Sequence, residues 1–466
     1  MLEGYSSNLA YYLNRLSNYS VSTIKLLPLG SDVVNASGVL QVVLPSTGIL
    51  ALPSFQWRFR GACTGSGAGT RAVFPKNFES LIQRLGVELN GATVQNPCNG
   101  YNDLFNLLQN NTCGAYGHSM QRAVLSGDVP FTSAAARGAV ACSTTAVAAP
   151  TADQAAIHAC VCEWLGFLGS AQPDYLMADI LGDIRVTITL AGANVLARQA
   201  AGGALGTYQL THNYFSIDVV RIQDGVYNSM IERRLAGGVP IEIPFEGIYA
   251  FTNTVPNMGQ STKFSVSSQS LDRVVVSQVL SSDRTAAGLP PGGSTVNAVV
   301  NYTENGAYFT YNNADATNCQ LLVNSEYYPS YPQDSAYDFV QSMKNLNQCQ
   351  DLDSASGITA NGRDAAGGLG QLPVVLIDNT ALTQYLCGMW SVIYNFKHLG
   401  AGADARLASG LNSYGSASNM YFNSINAGAG AVVPVATSTG DKQILIFVQT
   451  TSVLRCLAGK VLEVVA

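Results

Sequence analysis

Charged residues are scarce in this sequence. Lys, Arg, Asp and Glu make up 12% of its 466 residues, about half of the roughly 25% that is usual for soluble domains. The formal net charge is −6, which argues against a protein that grips nucleic acid through basic patches, so we expect no sequence-specific nucleic-acid binding. A surface rich in Gly, Ser, Thr and Asn can instead be buried against other subunits without desolvating many ions.

Long apolar runs and paired cysteine motifs are also missing. The sequence has no run of eighteen apolar residues and no signal-peptide pattern at its start, so we expect neither a transmembrane helix nor export. The ten cysteines lack the C-x-x-C spacing of structural zinc sites, and we expect most of them to be reduced and buried. These cysteines are Cys63, Cys98, Cys113, Cys142, Cys160, Cys162, Cys319, Cys349, Cys387 and Cys456.

The sequence contains few residues or motifs that could form a catalytic site. The four histidines are scattered, at His118, His158, His212 and His398, and no G-x-S-x-G nucleophile motif occurs. The glycine-rich stretch Gly61–Thr70 has no lysine in the P-loop position, so we interpret it as a flexible turn. We therefore expect no enzyme, no catalytic residue, no cofactor and no bound metal.

Two short motifs have a possible metal interpretation. His158, Cys160 and Cys162 would share one face of a strand and form a metal trio, but the segment Ala155–Leu168 also suits a helix, on which they would fan out. We interpret the trio as buried cysteines beside an incidental histidine. Asp351-Leu-Asp353 begins like a calcium loop, but no glutamate closes it.

Two further motifs have a possible ligand-binding interpretation. Arg233-Arg234 is the only doubled basic pair, and we interpret it as a linker anchor rather than a phosphate site. The aromatic run Tyr327-Tyr328-Pro-Ser-Tyr331 has rings that can stack on a sugar or a base. Its prolines favour an ordered loop packed on a sheet.

Short strand-like segments run through most of the chain. Phe55, Trp57 and Phe59 alternate with polar residues, which predicts a strand with one wet face. Asn90-Gly91 predicts a tight hairpin, and Tyr101–Leu108 predicts a short helix. Further predicted strands are Gly38–Leu44, Ile184–Leu190, Tyr214–Ile222, Val239–Phe245, Lys263–Ser267, Arg273–Leu280, Gln443–Val448 and Val461–Val465, with a second hairpin joining Val299–Tyr302 to Ala307–Tyr311. Many short strands without βα alternation predict an all-β, antiparallel fold.

Three stretches have the composition of long surface loops. Residues 131–156 are rich in alanine and other small residues, residues 281–296 in Gly and Pro, and residues 350–370 in Gly, Ala and Asp. Such sequences cannot supply a large core. We expect the first two to project from the outer ends of the folded domains.

One pattern occurs twice along the chain. Phe74–Gly91 is followed by a proline-containing loop and then by Tyr101–Leu108; Asn318–Pro332 is followed by Ser335–Val340. Each copy reads as an apolar strand ending in Asn, a loop with Pro, and a helix opening on Tyr. The repeat predicts two similar β-sandwiches in tandem, which points to a shell-building protein.

The order of these segments resembles that of double jelly-roll major capsid proteins, in particular those of polinton-like viruses and virophages. In the first half the resemblance lies in Leu40–Pro45, Phe55–Arg60, Ser80–Gly91 and Tyr101–Phe105. In the second half it lies in Cys319–Pro332 and Leu407–Tyr414.

The resemblance implies two eight-stranded jelly rolls and a structural, non-enzymatic role. It implies a homotrimer that acts as a pseudo-hexameric capsomer and tiles an icosahedral virion capsid, assembled inside the host cell around double-stranded DNA. The implied partners are neighbouring trimers, a single jelly-roll penton protein, and minor capsid proteins or an internal membrane.

The sequence predicts three regions. Residues 1–22 form an amphipathic N-terminal arm, residues 23–235 the first jelly roll and residues 236–466 the second. We expect the arm to contact a neighbouring subunit, a minor protein or a membrane; the alternative is that it caps its own jelly roll.

Two other functions are compatible with a β-sandwich. A carbohydrate-binding or host-recognition protein, such as a fibre or lectin, needs an exposed aromatic platform. A jelly-roll hydrolase needs two carboxylates in one cleft, and their separation depends on the fold.

Overall fold

The computed structural model describes residues 19–64, 72–75, 78–112, 157–198, 207–222, 233, 235–238, 240–255, 261–281, 284, 307–309, 311, 316–334, 390–397, 410–414, 420–426, 442–457 and 461–465. Several predicted features lie outside these residues: the arm up to residue 18, the loops 131–156 and 350–370, and the helix opening on Tyr337. His118, His398, Asp351 and Asp353 lie outside them as well.

Strands dominate the described residues. In the first half they are β1 (Tyr19–Leu26), β2 (Val34–Asn35), β3 (Val39–Val43), β4 (Ile49–Thr64), β5 (Ala72–Val73), β6 (Ile82–Leu89), β7 (Ala92–Gln95), β8 (Ile157–Val161), β9 (Tyr175–Met177), β10 (Ile184–Leu190), β11 (Ala197–Arg198) and β12 (Thr207–Ile222). In the second half they are β13 (Ile241–Val255), β14 (Thr262–Phe264), β15 (Leu271–Leu280), β16 (Ala316–Val323), β17 (Glu326–Asp334), β18 (Val392–Asn395), β19 (Met420–Asn426), β20 (Lys442–Leu457) and β21 (Val461–Val465).

Helices are short and few within the described ranges. The α-helices are α1 (Tyr101–Thr112), α2 (Phe167–Ser170) and α3 (Ala178–Leu181), and 3-10 turns span Phe78–Leu81, Ala193–Val195 and Ala307–Phe309. In this part of the chain, no helix is long and apolar enough to cross a membrane.

The two halves have the same strand order. In the first half, one sheet runs β1-β12-β4-β8 and the other β3-β10-β6-β7. In the second half, the corresponding sheets run β13-β20-β15-β18 and β14-β19-β16-β17. Counting the eight main strands of each half in chain order, both halves read 1-8-3-6 and 2-7-4-5, and the pairings are antiparallel. This arrangement is a jelly roll, so the predicted fold of two tandem eight-stranded jelly rolls is confirmed.

Alternation along β4 sets the faces of the first roll, as the sequence predicts. Phe55, Trp57 and Phe59 are buried in the core, while Arg58 between them is exposed. The Phe55 and Phe215 rings stack at 5.7 Å, which joins β4 to β12 inside the sandwich. The opposite face of this sheet carries the polar residues of β4 and is exposed to solvent.

The repeated sequence pattern corresponds to the same hairpin in both rolls. Asn90 and Gly91 join β6 to β7 with φ angles of 46° and 82°. Asn324 and Ser325 join β16 to β17 with φ angles of 50° and 85°. Two consecutive positive φ angles are typical of the type I′ turn, whose twist matches that of the flanking strands.

The second turn has a serine where the first has a glycine, and this predicts opposite effects of exchanging them. Ser325→Gly should stabilise the protein by about 1 kcal/mol, because an L side chain is strained at positive φ. Gly91→Ser should destabilise it by a similar amount, although the space around Gly91 is open. Thermal unfolding of both variants checks this, and equal signs for the two shifts would contradict it.

Five of the predictions about local strands, helices and turns are wrong. The glycine-rich stretch Gly61–Thr70, interpreted as a flexible turn, begins inside β4, because residues 61–64 pair with β12. The segment Ala155–Leu168 forms β8 and then α2 rather than one helix, since β8 completes the sheet beside β4. Residues 307–309, predicted as strand, form a 3-10 turn. Residues 327–331, predicted as a loop, belong to edge strand β17, where prolines are tolerated because one side of the strand is unpaired. Residues 19–22, assigned to the arm, pair with β12 as part of β1.

Candidate functional site

The three residues with a possible metal interpretation, His158, Cys160 and Cys162, lie on β8 and on the residue after it. His158 is exposed, Cys160 is buried and Cys162 is half-buried. Across the sheet, His158 pairs with Arg60 and Cys160 with Arg58. Burial raises the pKa of the Cys160 thiol, and the nearby Arg58 opposes that shift. Among the described residues, no group of three His, Cys, Asp or Glu side chains is placed to hold a metal ion.

The aromatic motif is divided in the structure, and of the basic pair only Arg233 is among the described residues. Tyr327 and Tyr331 are exposed on β17, whereas the Tyr328 ring packs edge-on against Phe396 at 4.9 Å. Arg233 is exposed, and its carbonyl accepts a hydrogen bond from the backbone N–H of Gly237, which is the i to i+4 bond of a helical turn.

The two rolls meet at a buried junction, where apolar residues of both belong to one cluster. The sheet β13-β20-β15-β18 has one face in the core of the second roll, which includes Val274 and Ile446. Its other face, with Val275 and Phe447, belongs to the same apolar cluster as the first roll. Because both faces are covered, β15 and β20 contain consecutive apolar residues instead of an alternating pattern.

Three short helices of the first roll form its side of the junction. The Phe167 ring of α2 packs against Phe245 of β13 at 5.3 Å. The Cys456 thiol of β20 lies 4.0 Å from the carbonyl oxygen of Ile180 in α3. Gly100, just before α1, approaches Phe447 so closely that a Cβ there would lie 3.1 Å from the ring, and its φ of 87° also favours glycine.

A buried ion pair joins the two rolls at this junction. Arg284 donates from Nη2 to Oδ1 of Asp103 at 2.8 Å and from Nη1 to Oδ2 at 3.1 Å. Both side chains are buried, at 8% and 5% exposure. The Tyr311 hydroxyl donates to Asp103 Oδ1 at 2.9 Å, and the Tyr308 ring lies 3.9 Å from the guanidinium carbon. Burial alone would lower the pKa of Arg284, but the Asp103 carboxylate raises it.

The position of Arg284 shows that one prediction from the sequence is wrong. The sequence also did not predict that Arg284 pairs with Asp103. Arg284 falls within residues 281–296, which we expected to project outward, yet its side chain is buried against α1. The two residues are 181 positions apart and belong to no motif. A lone arginine in a Gly/Pro-rich segment was the only available signal.

A polar cavity of about 230 Å³ lies at another part of the junction, lined by Ser170 and Gln172 of the first roll and by Glu246, Asp272, Arg273, Lys397, Gln449 and Thr451 of the second. Asp272 accepts hydrogen bonds from Ser270 at 2.8 Å and Thr451 at 2.6 Å, and pairs with Lys397 at 3.4 Å. With its oxygens engaged in this way, Asp272 ties strands together. The cavity does contain two carboxylates, which is the feature that a hydrolase would need.

Glu246 should make stability depend on pH. Its Oε1 oxygen is buried without a hydrogen-bond partner among the described residues, and burial raises the pKa of the carboxyl above the ordinary value of 4.5, against the opposing charge of Arg273. A raised folded-state pKa means that stability is lost as pH rises from that ordinary value through the folded-state pKa.

We therefore expect Glu246→Gln to raise the melting temperature relative to the parent protein at pH 8 and to lose this advantage near pH 4.5. Glu242→Gln is the matched control, because Glu242 lies on the same strand but is 50% exposed. Thermal unfolding across this pH range is the measurement. An advantage of Glu246→Gln that does not change with pH would contradict the account.

The corresponding sheet of the first roll has a different environment. The outer face of β1-β12-β4-β8 presents Thr23, Lys25, Arg58, Arg60 and Asp218, which are exposed or half-buried. In the described part of the chain, nothing covers this face as the first roll covers the sheet of the second. Within the described residues, the same sheet therefore occurs once covered and once open.

Solved structures of viral proteins match almost the whole chain. PBCV-1 VP54, fitted into a cryo-electron-microscopy reconstruction of the virophage Sputnik, matches with a TM-score of 0.58 and 14% identity over 97% of this chain and 98% of that one. The Faustovirus major capsid protein matches with a TM-score of 0.54 and 9% identity, covering 94% and 91%. A 3.5 Å cryo-electron-microscopy structure of the Sputnik virophage matches at 0.50 and 12%, covering 96% and 88%.

No protein-family model and no curated protein matches the sequence. At these identities the structural matches establish the fold, and they agree with the strand order of both halves. The chain therefore has the double jelly-roll fold of viral major capsid proteins, as the sequence resemblance predicts.

Proposed function

We propose that this protein is the major capsid protein of a DNA virus. In this role it is a structural subunit, not an enzyme, and three copies form a capsomer of six jelly rolls that tiles an icosahedral shell. The observation that carries the proposal is the difference between the two equivalent sheets. In the second roll the outer face is covered by the first roll, whereas in the first roll no described residue covers it.

In a ring of subunits, the uncovered sheet of each first roll would be covered by a neighbouring copy. Because the rolls share one strand order, the second roll of another copy can cover the open sheet much as the first roll covers the second within the chain. Such a head-to-tail contact generates a closed ring when its rotation closes. Three chains then supply six similar rolls, which is the shape expected of a pseudo-hexameric capsomer.

The open face has features of a subunit contact. Val21 on β1 is 58% exposed and Leu27, the residue after β1, is 66% exposed, beside a polar strip that includes Thr23 and Asp218. Exposed apolar side chains next to hydrogen-bonding groups are typical of protein interfaces. We expect each lateral contact to bury well above about 2,000 Å² if the trimer is obligate.

The sequence repeat suggests which segment would cover this face. In the first roll, α1 lies between β7 and β8 and packs at the junction. The repeat predicts a helix opening on Tyr337 at the corresponding point, between β17 and β18 of the second roll. We propose that this segment contacts the open sheet of the next copy.

The proposal includes the wider assembly. Neighbouring trimers would form the facets, a single jelly-roll penton protein would occupy the vertices, and residues 1–18 would contact a neighbouring subunit, a minor capsid protein or an internal membrane. The two rolls would meet near residues 235–236. The virion capsid would be the final location, after assembly in the host cell around DNA that is bound without sequence specificity.

Sedimentation velocity of the purified full-length protein tests the proposed subunit. At micromolar concentration and physiological salt we expect a species of about three times the 49.1 kDa chain mass. A stable monomer under these conditions would oppose the proposal. A monomer that also binds glycans would favour the carbohydrate-binding alternative, for which the exposed Tyr327 and Tyr331 would be the first residues to test.

A further inference from the structure

A basic groove of about 550 Å³ lies at one end of the open sheet, between β1, β4, β8 and β12. Its charged and titratable lining consists of Lys25, Arg58, Arg60, His158 and His212, with Asp32 as the carboxylate and Cys160 and Tyr214 beside them. The protein as a whole has a net charge of −6, so this local excess of basic groups departs from its overall composition.

Neutral groups position two of these cations. Arg58 Nη2 donates to Gln56 Oε1 at 2.8 Å, and the neighbouring Tyr214 on β12 raises the pKa of Arg58. The Lys25 ammonium lies 4.4 Å from the centroid of the same tyrosine ring. Within the described ranges neither Lys25 nor Arg58 forms an ion pair, so their charge is available to a bound anion.

A bulge in β12 shapes the wall of the groove. The register between β12 and β4 shifts between Thr211 and Tyr214, and His212 takes a φ of 53° there. The buried Asn213 fixes this bulge, since its Oδ1 accepts from Trp57 Nε1 at 3.1 Å and its Nδ2 donates to the Asp32 carbonyl at 2.7 Å. Bulges of this kind often re-aim side chains beside binding sites.

We propose that this groove binds a phosphate-class oxyanion. A guanidinium can donate two parallel hydrogen bonds to such an anion, an ammonium adds a compact charge, and imidazole N–H groups supply further donors. The site is formed within one chain and does not require the proposed trimer. Contact with a second copy need not fill it either, because the covered sheet of the second roll retains a polar cavity of about 230 Å³.

Calorimetric titration of inorganic phosphate into the full-length protein at low ionic strength tests this site. We expect saturable binding at one site per chain, weakened at least about tenfold by Arg58→Gln and by Lys25→Gln, because each removes a charged donor. Lys263→Gln is the matched lysine control, since that ammonium lies 5.6 Å from the Tyr421 ring in the second roll. Arg185→Gln on β10 is the matched arginine control.

The outcome of the phosphate titration either supports or overturns the proposed site. Normal affinity in both controls together with loss in both groove variants supports the site. No saturable binding, or equal losses in groove and control variants, overturns it. Melting temperatures in phosphate-free buffer show that the variants are folded, and sedimentation of the same samples reports separately on the proposed trimer.

Discussion

Replacing Arg284 with methionine is expected to destabilise the protein by about 3–5 kcal/mol, because it leaves the Asp103 carboxylate buried at the junction without its cation. That carboxylate is 5% exposed, and it would keep one side-chain hydrogen bond, from Tyr311 at 2.9 Å. Urea unfolding monitored by tryptophan fluorescence measures the loss. Trp57 and Trp164 report on the first roll and Trp390 on the second, since all three are buried.

Two further variants isolate the cause of this loss. Arg455→Met makes the same change in the exposed pair of Arg455 and Glu242, where we expect a cost of at most about 1 kcal/mol. Adding Asp103→Asn to Arg284→Met removes the buried charge and should recover much of the stability. If Arg284→Met costs no more than Arg455→Met, the junction does not depend on this pair.

Introducing a carboxylate at Val21 is expected to convert trimers into monomers without unfolding the chain. Val21 is 58% exposed and lies on the outer side of β1, because Ile24 and Leu26 face the core. In the proposed ring this position is covered by the next copy, and burying an unpaired charge costs several kcal/mol at each of the three contacts. Sedimentation velocity of Val21→Asp measures the change.

Val39→Asp is the matched control for this variant. Val39 is 52% exposed on β3, which belongs to the other sheet of the same roll. The two substitutions place the same charge on an edge strand of similar exposure, so they should have similar effects on the fold. Trimers that persist in Val21→Asp, or that are lost equally in Val39→Asp, would place the subunit contact on another surface.

Local patterning predicted the architecture wherever one face of a strand is wet. The alternation of Phe55, Trp57 and Phe59 marks β4 because the residues between them lie on a face that no described residue covers. The turn residues Asn90-Gly91 mark the first hairpin because few residue types accept two consecutive positive φ angles. The repeat of this hairpin in the second half is what pointed to two similar sandwiches.

Prediction from sequence was weaker where tertiary packing decides. β20 is apolar at consecutive positions because the two rolls cover both of its faces, and no local pattern contains that information. The segment containing β8 was assigned as a helix because a short apolar run does not distinguish helix from strand. Hydrogen bonding to β4 makes this segment a strand.

The candidate sites were harder still to predict. Asp103 and Arg284 meet across 181 positions of sequence. The basic residues of the groove come from four separate strands, and only Arg58 and Arg60 are close in the sequence. His158 and His212, which seemed scattered along the chain, line the same groove.

Electron microscopy of the purified full-length protein tests the central claim most directly. We expect uniform particles of trimer mass with a pseudo-hexagonal outline, in which six similar lobes surround a centre, and at higher concentration sheets or closed shells of these units. Compact monomers, or rings whose subunits contact through a surface other than the open sheet β1-β12-β4-β8, would contradict the proposal.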